Sequence, residues 1–518
     1  MDNELRKIII VGGGTAGWLT AGILAAEHNA KSPDGIAVTL IESPDVSPLG
    51  VGEGTWPTMR ATLKKIGISE TDFFRECDAS FKQGTKFRGW VTGDKEDSYS
   101  HPFVLPVGYN EFNLVTAWQS ANSNLSFADA VCFQGQICDK GLAPKQNTTP
   151  EFAHVANYAY HLDAGKLVTF LQKHCIEKLG VTHILDHVVG VNSHDNEDIA
   201  SIETKINGDI PGDLFIDCTG SSALLLGKHY QVPFVSKKHI LFNDTALAVQ
   251  VPYATEDSPI ASQTISTAQS SGWIWDIGLP TRRGIGYVYS SAHLDDDQAE
   301  VSLRDYIRPA LAKQADDVNI RKLSFAPGHR EIFWHKNCVA VGQSAGFIEP
   351  LEASALVMVE LSAKMISEQL PVNREVMDIV AKRFNDKFLY RWDRIIDFLK
   401  LHYVLSKRVD NDYWKDNCRS ESIPENLKML LKLWSYQAPW HQDFTYADEV
   451  FPSASYQYIL YGMGFKTIPR TTINQTNHHK LAKTYFKKNN ETLNKLLMGL
   501  PSNRDLINHI KQYALQKI

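Results

Sequence analysis

The chain has 518 residues with a net charge of −6, 43% hydrophobic and 22% charged residues. That is enough chain for two or three domains, or for one large α/β module with an appendage, and the acidic balance gives no reason to expect nucleic acid or an anionic membrane as partner. Seven cysteines, an odd number without metal-ligand spacing, fit reduced thiols, and no run reaches transmembrane length; with no apolar leader ahead of the first strand, a cytoplasmic protein without a metal is expected.

Lys7–Val11 is a short β-branched run of the kind that forms a buried parallel strand. It enters Gly12-Gly13-Gly14-Thr15-Ala16-Gly17, which fits G-x-G-x-x-G, and then an apolar helix from Trp18. Such glycines let backbone N–H groups approach a pyrophosphate at the helix N-terminus. A second strand, Ala37–Ile41, ends at Glu42, which is placed to accept from a ribose hydroxyl. Gly12, Gly14, Thr15, Ala16, Gly17 and Glu42 are therefore candidate cofactor ligands.

The stretch Gly50-Val51-Gly52-Glu53-Gly54-Thr55-Trp56-Pro57 reads either as backbone passing close to a ligand or as a plain Gly/Pro turn. In Phe81-Lys82-Gln83-Gly84-Thr85-Lys86-Phe87, two lysines sit beside aromatics, and most such lysines are solvated. His101-Pro102-Phe103 follows; Tyr160-His161-Leu162-Asp163 precedes an amphipathic helix from Leu167 to Leu179, with Asp163 suited to cap it.

Two later strand-turns read as further nucleotide-binding elements: Gly212–Gly220, carrying Asp217, and Cys338–Gly346, carrying Gly342. Between them, Gly272-Trp273-Ile274-Trp275-Asp276-Ile277 puts both indoles on one face of an extended segment. Ile348-Glu349-Pro350-Leu351-Glu352-Ala353-Ser354-Ala355 leads into a helix whose N-terminal N–H groups favour an anion. From about residue 384 the pattern turns helical, and the Lys-rich end from Lys480 is most simply a solvated helical face.

Taken together, Gly-Trp-x-Trp-x-Ile, the lysine-aromatic string, Glu-Pro-Leu-Glu and the three nucleotide elements resemble the flavin-dependent halogenases. The resemblance implies an α/β fold: a Rossmann-type, flavin monooxygenase-like FAD module with a mixed-sheet substrate region over residues 1–383, and a mainly helical, substrate-covering part over 384–518. It implies FAD, reduced by a separate flavin reductase, with Val51, Gly52, Asp217, Gly342 and Ile348 added to its contacts. Halide, bromide or chloride, is the expected co-substrate, held near Ser354 and Ala355 and oxidised with O2 to hypohalous acid.

The resemblance further implies Lys82 and Glu352 as catalytic groups and Lys86 as structural; Trp273 and Trp275 would separate flavin from substrate, and His101, Phe103 and Phe451 would bind substrate. The chain departs from the family at Gln343, where an Asp is usual, and at Ala353-Ser354-Ala355, where Ser-Thr-Gly is usual. It also departs at Phe444–Ser453, which lacks a Tyr pair and has Pro452 in place of Trp. The last change argues against free tryptophan and for a more open site, and an indole or similar small arene is the substrate that the resemblance implies. An aromatic hydroxylase and a non-catalytic flavin-binding protein are the competing expectations; homodimer and monomer both remain open.

Overall fold

The computed structural model describes residues 4–46, 52–94, 96–121, 124–446, 449–468 and 475–517, with the backbone alone described for 475–478. Val51, expected beside the cofactor, lies outside the described residues. The chain divides into two compact units, each discontinuous in sequence: Met1–Ala79, Leu162–Lys237 and Phe325–Trp392 form one, and Ser80–His161, Lys238–Ser324 and Asp393–Ile518 the other. The boundary expected near residue 383 falls inside the helix Arg374–Val404.

The first unit is built on a six-stranded sheet in the order Trp334–His335, Cys338–Ala340, Leu214–Asp217, Lys7–Val11, Ala37–Glu42, Thr182–Leu185. All neighbours are parallel except the first pair. Ile8, Ile9, Ile10 and Val11 are all buried, as a strand covered on both faces requires. The chain leaves this strand in both directions along the sheet, so a crevice opens at the carboxyl ends of Lys7–Val11 and Leu214–Asp217, the usual place for a nucleotide in such folds.

The second unit holds a seven-stranded mixed sheet in the order Arg321–Ser324, Thr245–Pro252, Arg282–Tyr289, Gly272–Gly278, Thr264–Gln269, Gly84–Arg88, Ser98–Pro102. Its one parallel pair joins Thr264–Gln269 to Gly84–Arg88. One face is covered by the helix Asp296–Leu311, whose Ala299, Leu303, Ile307 and Leu311 recur every fourth residue and pack on Leu247, Val249, Ile274, Ile285 and Tyr287. Each leucine, isoleucine or valine among them contributes roughly 1.5–3 kcal/mol on burial.

Past residue 404 the second unit is helical: Asp412–Asn417, Glu425–Trp434, Ser453–Gly462, Gln475–Gly499 and Asn503–Tyr513. The lysine-rich helix Gln475–Gly499 buries Leu493 and Leu496 against Ile137 and Cys138. Its lysines are left to the other face, as an amphipathic helix arranges.

Candidate active site

In the first unit three sequence-distant turns meet. Gly12 has φ +117°, and a Cβ there would lie 2.2 Å from the Cys218 carbonyl oxygen, so only glycine lets the first turn approach the second. Gly342 abuts Ala16, bringing the third turn against the first helix. Gly14 caps the helix Thr15–Glu27 without a side-chain hydrogen bond, and a Cβ on it would meet no atom within 4 Å. Gly17 begins the buried face of that helix, whose exposed first N–H groups and open approach suit a pyrophosphate.

Glu42 ends its strand with the carboxylate lying over Gly13, 3.0 Å from His183 Nε2. Gly52 and Ile348 are buried, each next in sequence to a glutamate, Glu53 and Glu349. This donor set fits a dinucleotide. Asp217 has a more internal duty: its carboxylate accepts from Thr219 N and Oγ1 and from the N–H groups of Leu225 and Leu226, which shapes the turn. Gln343, in place of the usual Asp, is exposed.

The segment Gly52–Pro57 and the Glu-Pro-Leu-Glu loop are tied together within this unit. Trp56 Nε1–H donates to the Glu352 carbonyl at 2.7 Å, and Glu352 is itself buried. Burial, and then the neighbouring Asp163, push the Glu53 carboxyl up to about 7. Asp163 caps the helix Ala164–His174 by accepting from Lys166 N. At the next helix, Ala353 is the N-cap, in the left-handed region at φ 53° and ψ 42°, and provides no side-chain cap. Ser354 is therefore the first helical residue and is buried, whereas Ala355 is exposed. The uncapped first turn leaves N–H groups for an anion.

In the second unit Lys82 is only 2% exposed, and its Nζ lies 5.6 Å from the centroid of the Phe103 ring. Its strand, Ser80–Lys82, pairs antiparallel with Ala159–His161. Ser80 Oγ donates to the Gly278 carbonyl at 2.5 Å, tying this strand to the end of the tryptophan strand. Lys86 has a different environment: it forms an ion pair with Asp139 at 2.7 Å.

Trp273 and Trp275 are 1% and 8% exposed, their rings 6.4 Å apart and inclined by 62°. Strand alternation turns Ile274 to the helix-covered face and both indoles to the other. Opposite Trp275 stands Gly286, where a Cβ would come within 2.1 Å of the indole. Following the register outward, Trp275 pairs with Ser266, Ser266 with Phe87, and Phe87 with Tyr99. Two residues along, Thr264, Thr85 and His101 line up on the same face. His101 and the two tryptophans therefore share one face of the sheet.

His101 Nε2 is bound to Ser455 Oγ at 2.9 Å, and its ring lies 5.6 Å from Phe398. Phe398 stacks on Phe451 at 3.8 Å and packs edge-on to Tyr456. Sequence reading misses Phe398, because in Arg374–Val404 it looks like any apolar helical residue. In the structure, His161 belongs to the strand beside Lys82, with Nε2 2.7 Å from Thr264 Oγ1. Burial, and then the charge of Lys82, hold His161 well below the ordinary imidazole value, so its ring is neutral.

Among the described residues there is no cluster of metal ligands and no helix long and apolar enough to cross a membrane. Residues 7–479 match the tryptophan halogenase family. The chain is 33% identical over 480 residues to the tryptophan 6-halogenase SttH of Streptomyces toxytricini, covering 88% of this chain and 89% of that one. It superimposes on the structure of a tryptophan halogenase from Shewanella frigidimarina NCIMB 400 with a TM-score of 0.97, 51% identity and 100% of each chain covered. On Tar14, a tryptophan C-6 flavin-dependent halogenase (chlorinase) from taromycin biosynthesis, the TM-score is 0.90 at 32% identity, covering 98% of this chain and 100% of the other. The chain belongs to the tryptophan halogenase family, and it is a flavin-dependent halogenase that acts on an aromatic with reduced FAD and halide.

Proposed function

We propose that this halogenase modifies a small electron-rich arene, an indole rather than free tryptophan, through Lys82. The observation that carries the chemistry is Lys82 itself, a lysine 2% exposed beside an aromatic ring on a strand anchored to the tryptophan strand. When bound at Gly12, Gly14, Thr15, Ala16, Gly17, Glu42, Gly52, Gly342 and Ile348, reduced FAD supplies with O2 the two-electron oxidation that converts halide to hypohalous acid. Ser354 and Ala355 offer the halide their backbone N–H groups. Lys82 then orients the hypohalous acid by hydrogen bonding, or carries the halogen as a haloamine. The ring gains a C–X bond and loses its proton, and the remaining oxygen leaves as water. Glu352 stabilises the cationic ring before that proton departs. Trp273 and Trp275 keep the organic substrate away from the flavin.

Support for a small arene comes from the wall formed by His101, Phe398, Phe451 and Tyr456, which is ring on ring. Two nearby serine hydroxyls are already engaged, Ser455 with His101 and Ser453 with Tyr109. Free tryptophan is the second reading, favoured by the names of the relatives. Indole and tryptophan, each incubated with protein, FAD, flavin reductase, NADH, O2 and either bromide or chloride, separate the two by mass spectrometry. A halogen isotope pattern from indole, lost in Lys82→Ala, is the expected result. A pattern from tryptophan alone overturns the substrate assignment, and a Lys82→Ala variant that still halogenates overturns the role of the lysine.

A further inference from the structure

The antiparallel pairing of Ser80 with His161 and of Lys82 with Ala159 sorts the side chains of these two strands, part of a three-stranded sheet, onto two faces. Phe81, Tyr158 and Tyr160 take one face, where a second buried lysine, Lys145, donates to the Pro150 carbonyl and the Tyr158 hydroxyl. Ser80, Lys82 and His161 take the other. Ser80 is committed to the Gly278 carbonyl, which leaves His161 as the polar ring diagonally across from Lys82. Diagonal neighbours stand about 7–8 Å apart at Cα, within reach of a long side chain.

His161 is 0% exposed. Its Nε2 is bound to Thr264, a residue on the sheet face shared by His101 and the tryptophans, while its Nδ1 has no hydrogen-bond partner among the described residues. Leaving a buried ring nitrogen without a partner is costly, so a native fold retains one where a partner can reach it. Lys82 is the charged group that acts on this ring; the other groups facing it, Thr264 and Ser80, are hydroxyls.

We propose that His161 is a positioning residue for Lys82: its Nδ1 accepts a hydrogen bond from the Lys82 ammonium, directly or through one water, and holds the lysine nitrogen in place as halogen is passed to the arene. The required tautomer carries its proton on Nε2 and donates it to Thr264. A neutral imidazole can accept in this way, and a protonated one cannot. The assignment rests on the reading of Lys82 as the catalytic lysine.

The two amide substitutions separate this role from a structural one. In His161→Asn the amide falls near the Nδ1 position, and in His161→Gln near Nε2, where it keeps the link to Thr264. His161→Gln is expected to lose roughly tenfold or more in kcat, with the arene KM within about twofold and an altered alkaline limb of the pH profile. His161→Asn should recover most of that loss. Wild-type kinetics in His161→Gln, or an equal loss in both variants accompanied by equal loss of thermal stability, overturns the proposal.

If neither variant folds, 15N-histidine NMR on Lys82→Met decides: the His161 Nδ1 resonance should shift from its wild-type position, and an unmoved resonance overturns the contact. Lys82→Ala distinguishes the two levels of the reading. Halogenation surviving in Lys82→Ala removes the catalytic lysine itself. Halogenation lost there, with His161→Gln behaving as wild type, removes only the role of His161.

Discussion

Trp56 donates its indole N–H to the backbone carbonyl of Glu352 across 2.7 Å, joining two segments almost 300 positions apart in the chain. The bond fixes the loop bearing Glu352 by its main chain and makes no demand on the carboxylate. Trp56→Phe keeps an aromatic ring and removes the donor. We expect a loss of about 1–3 kcal/mol in stability from the unsatisfied carbonyl, measurable by thermal denaturation, together with a several-fold fall in halogenation rate. A variant with wild-type rate and melting temperature would show that the loop is held by other means.

Gly286→Ala tests the seat of Trp275. The new methyl would stand 2.1 Å from the indole, and the strand register gives the backbone no slack. The ring must move, at an overpacking cost of about 1–3 kcal/mol. Tryptophan fluorescence should change and halogenation should fall, with FAD affinity retained.

The two lysines of the Phe81–Phe87 string should behave differently. Lys82→Ala is expected to abolish halogenation while FAD still binds. Lys86→Met removes a partly exposed ion pair with Asp139, worth at most about 1 kcal/mol, and should leave the rate within about twofold of wild type. Comparable losses in both would contradict the distinction.

Glu360 provides a pH test in the first unit. It is buried, accepts from the hydroxyls of Thr58 and Thr62, and burial lifts its carboxyl from 4.5 to about 7. Between those values the folded state keeps a proton that the unfolded state has released. Its contribution to stability is therefore complete below pH 4.5, declines as pH rises toward 7, and is constant above. The span is on the order of 3 kcal/mol. Glu360→Gln, which cannot ionise, should flatten that part of the stability profile in denaturant titrations at pH 5, 6 and 7.5. An unchanged slope would place the titration elsewhere.

Phe398→Ala probes the arene wall. Loss of the ring stacked on Phe451 should raise the arene KM more than it lowers kcat and admit bulkier indoles. A change confined to stability would make Phe398 a core residue only.

The nucleotide turns, the Trp-x-Trp strand and the Lys82 and Glu352 strings were legible in the sequence because their physics is local. A glycine at a positive φ, the alternation of a strand and an uncapped helix start are properties of a few consecutive residues, and those strings together pointed to the family to which the chain belongs. Tertiary structure alone decided which distant segments share a face. The parallel pairing of Gly84–Arg88 with Thr264–Gln269 puts His101, Thr264, Trp273 and Trp275 on one side of a sheet and sends Lys86 to the other, toward Asp139. The same kind of pairing puts His161 beside the strand of Lys82, and folding brings Phe398 of a long helix onto Phe451. Such relationships depend on register between strands and on packing across nearly two hundred residues of chain, which no local pattern of side chains encodes.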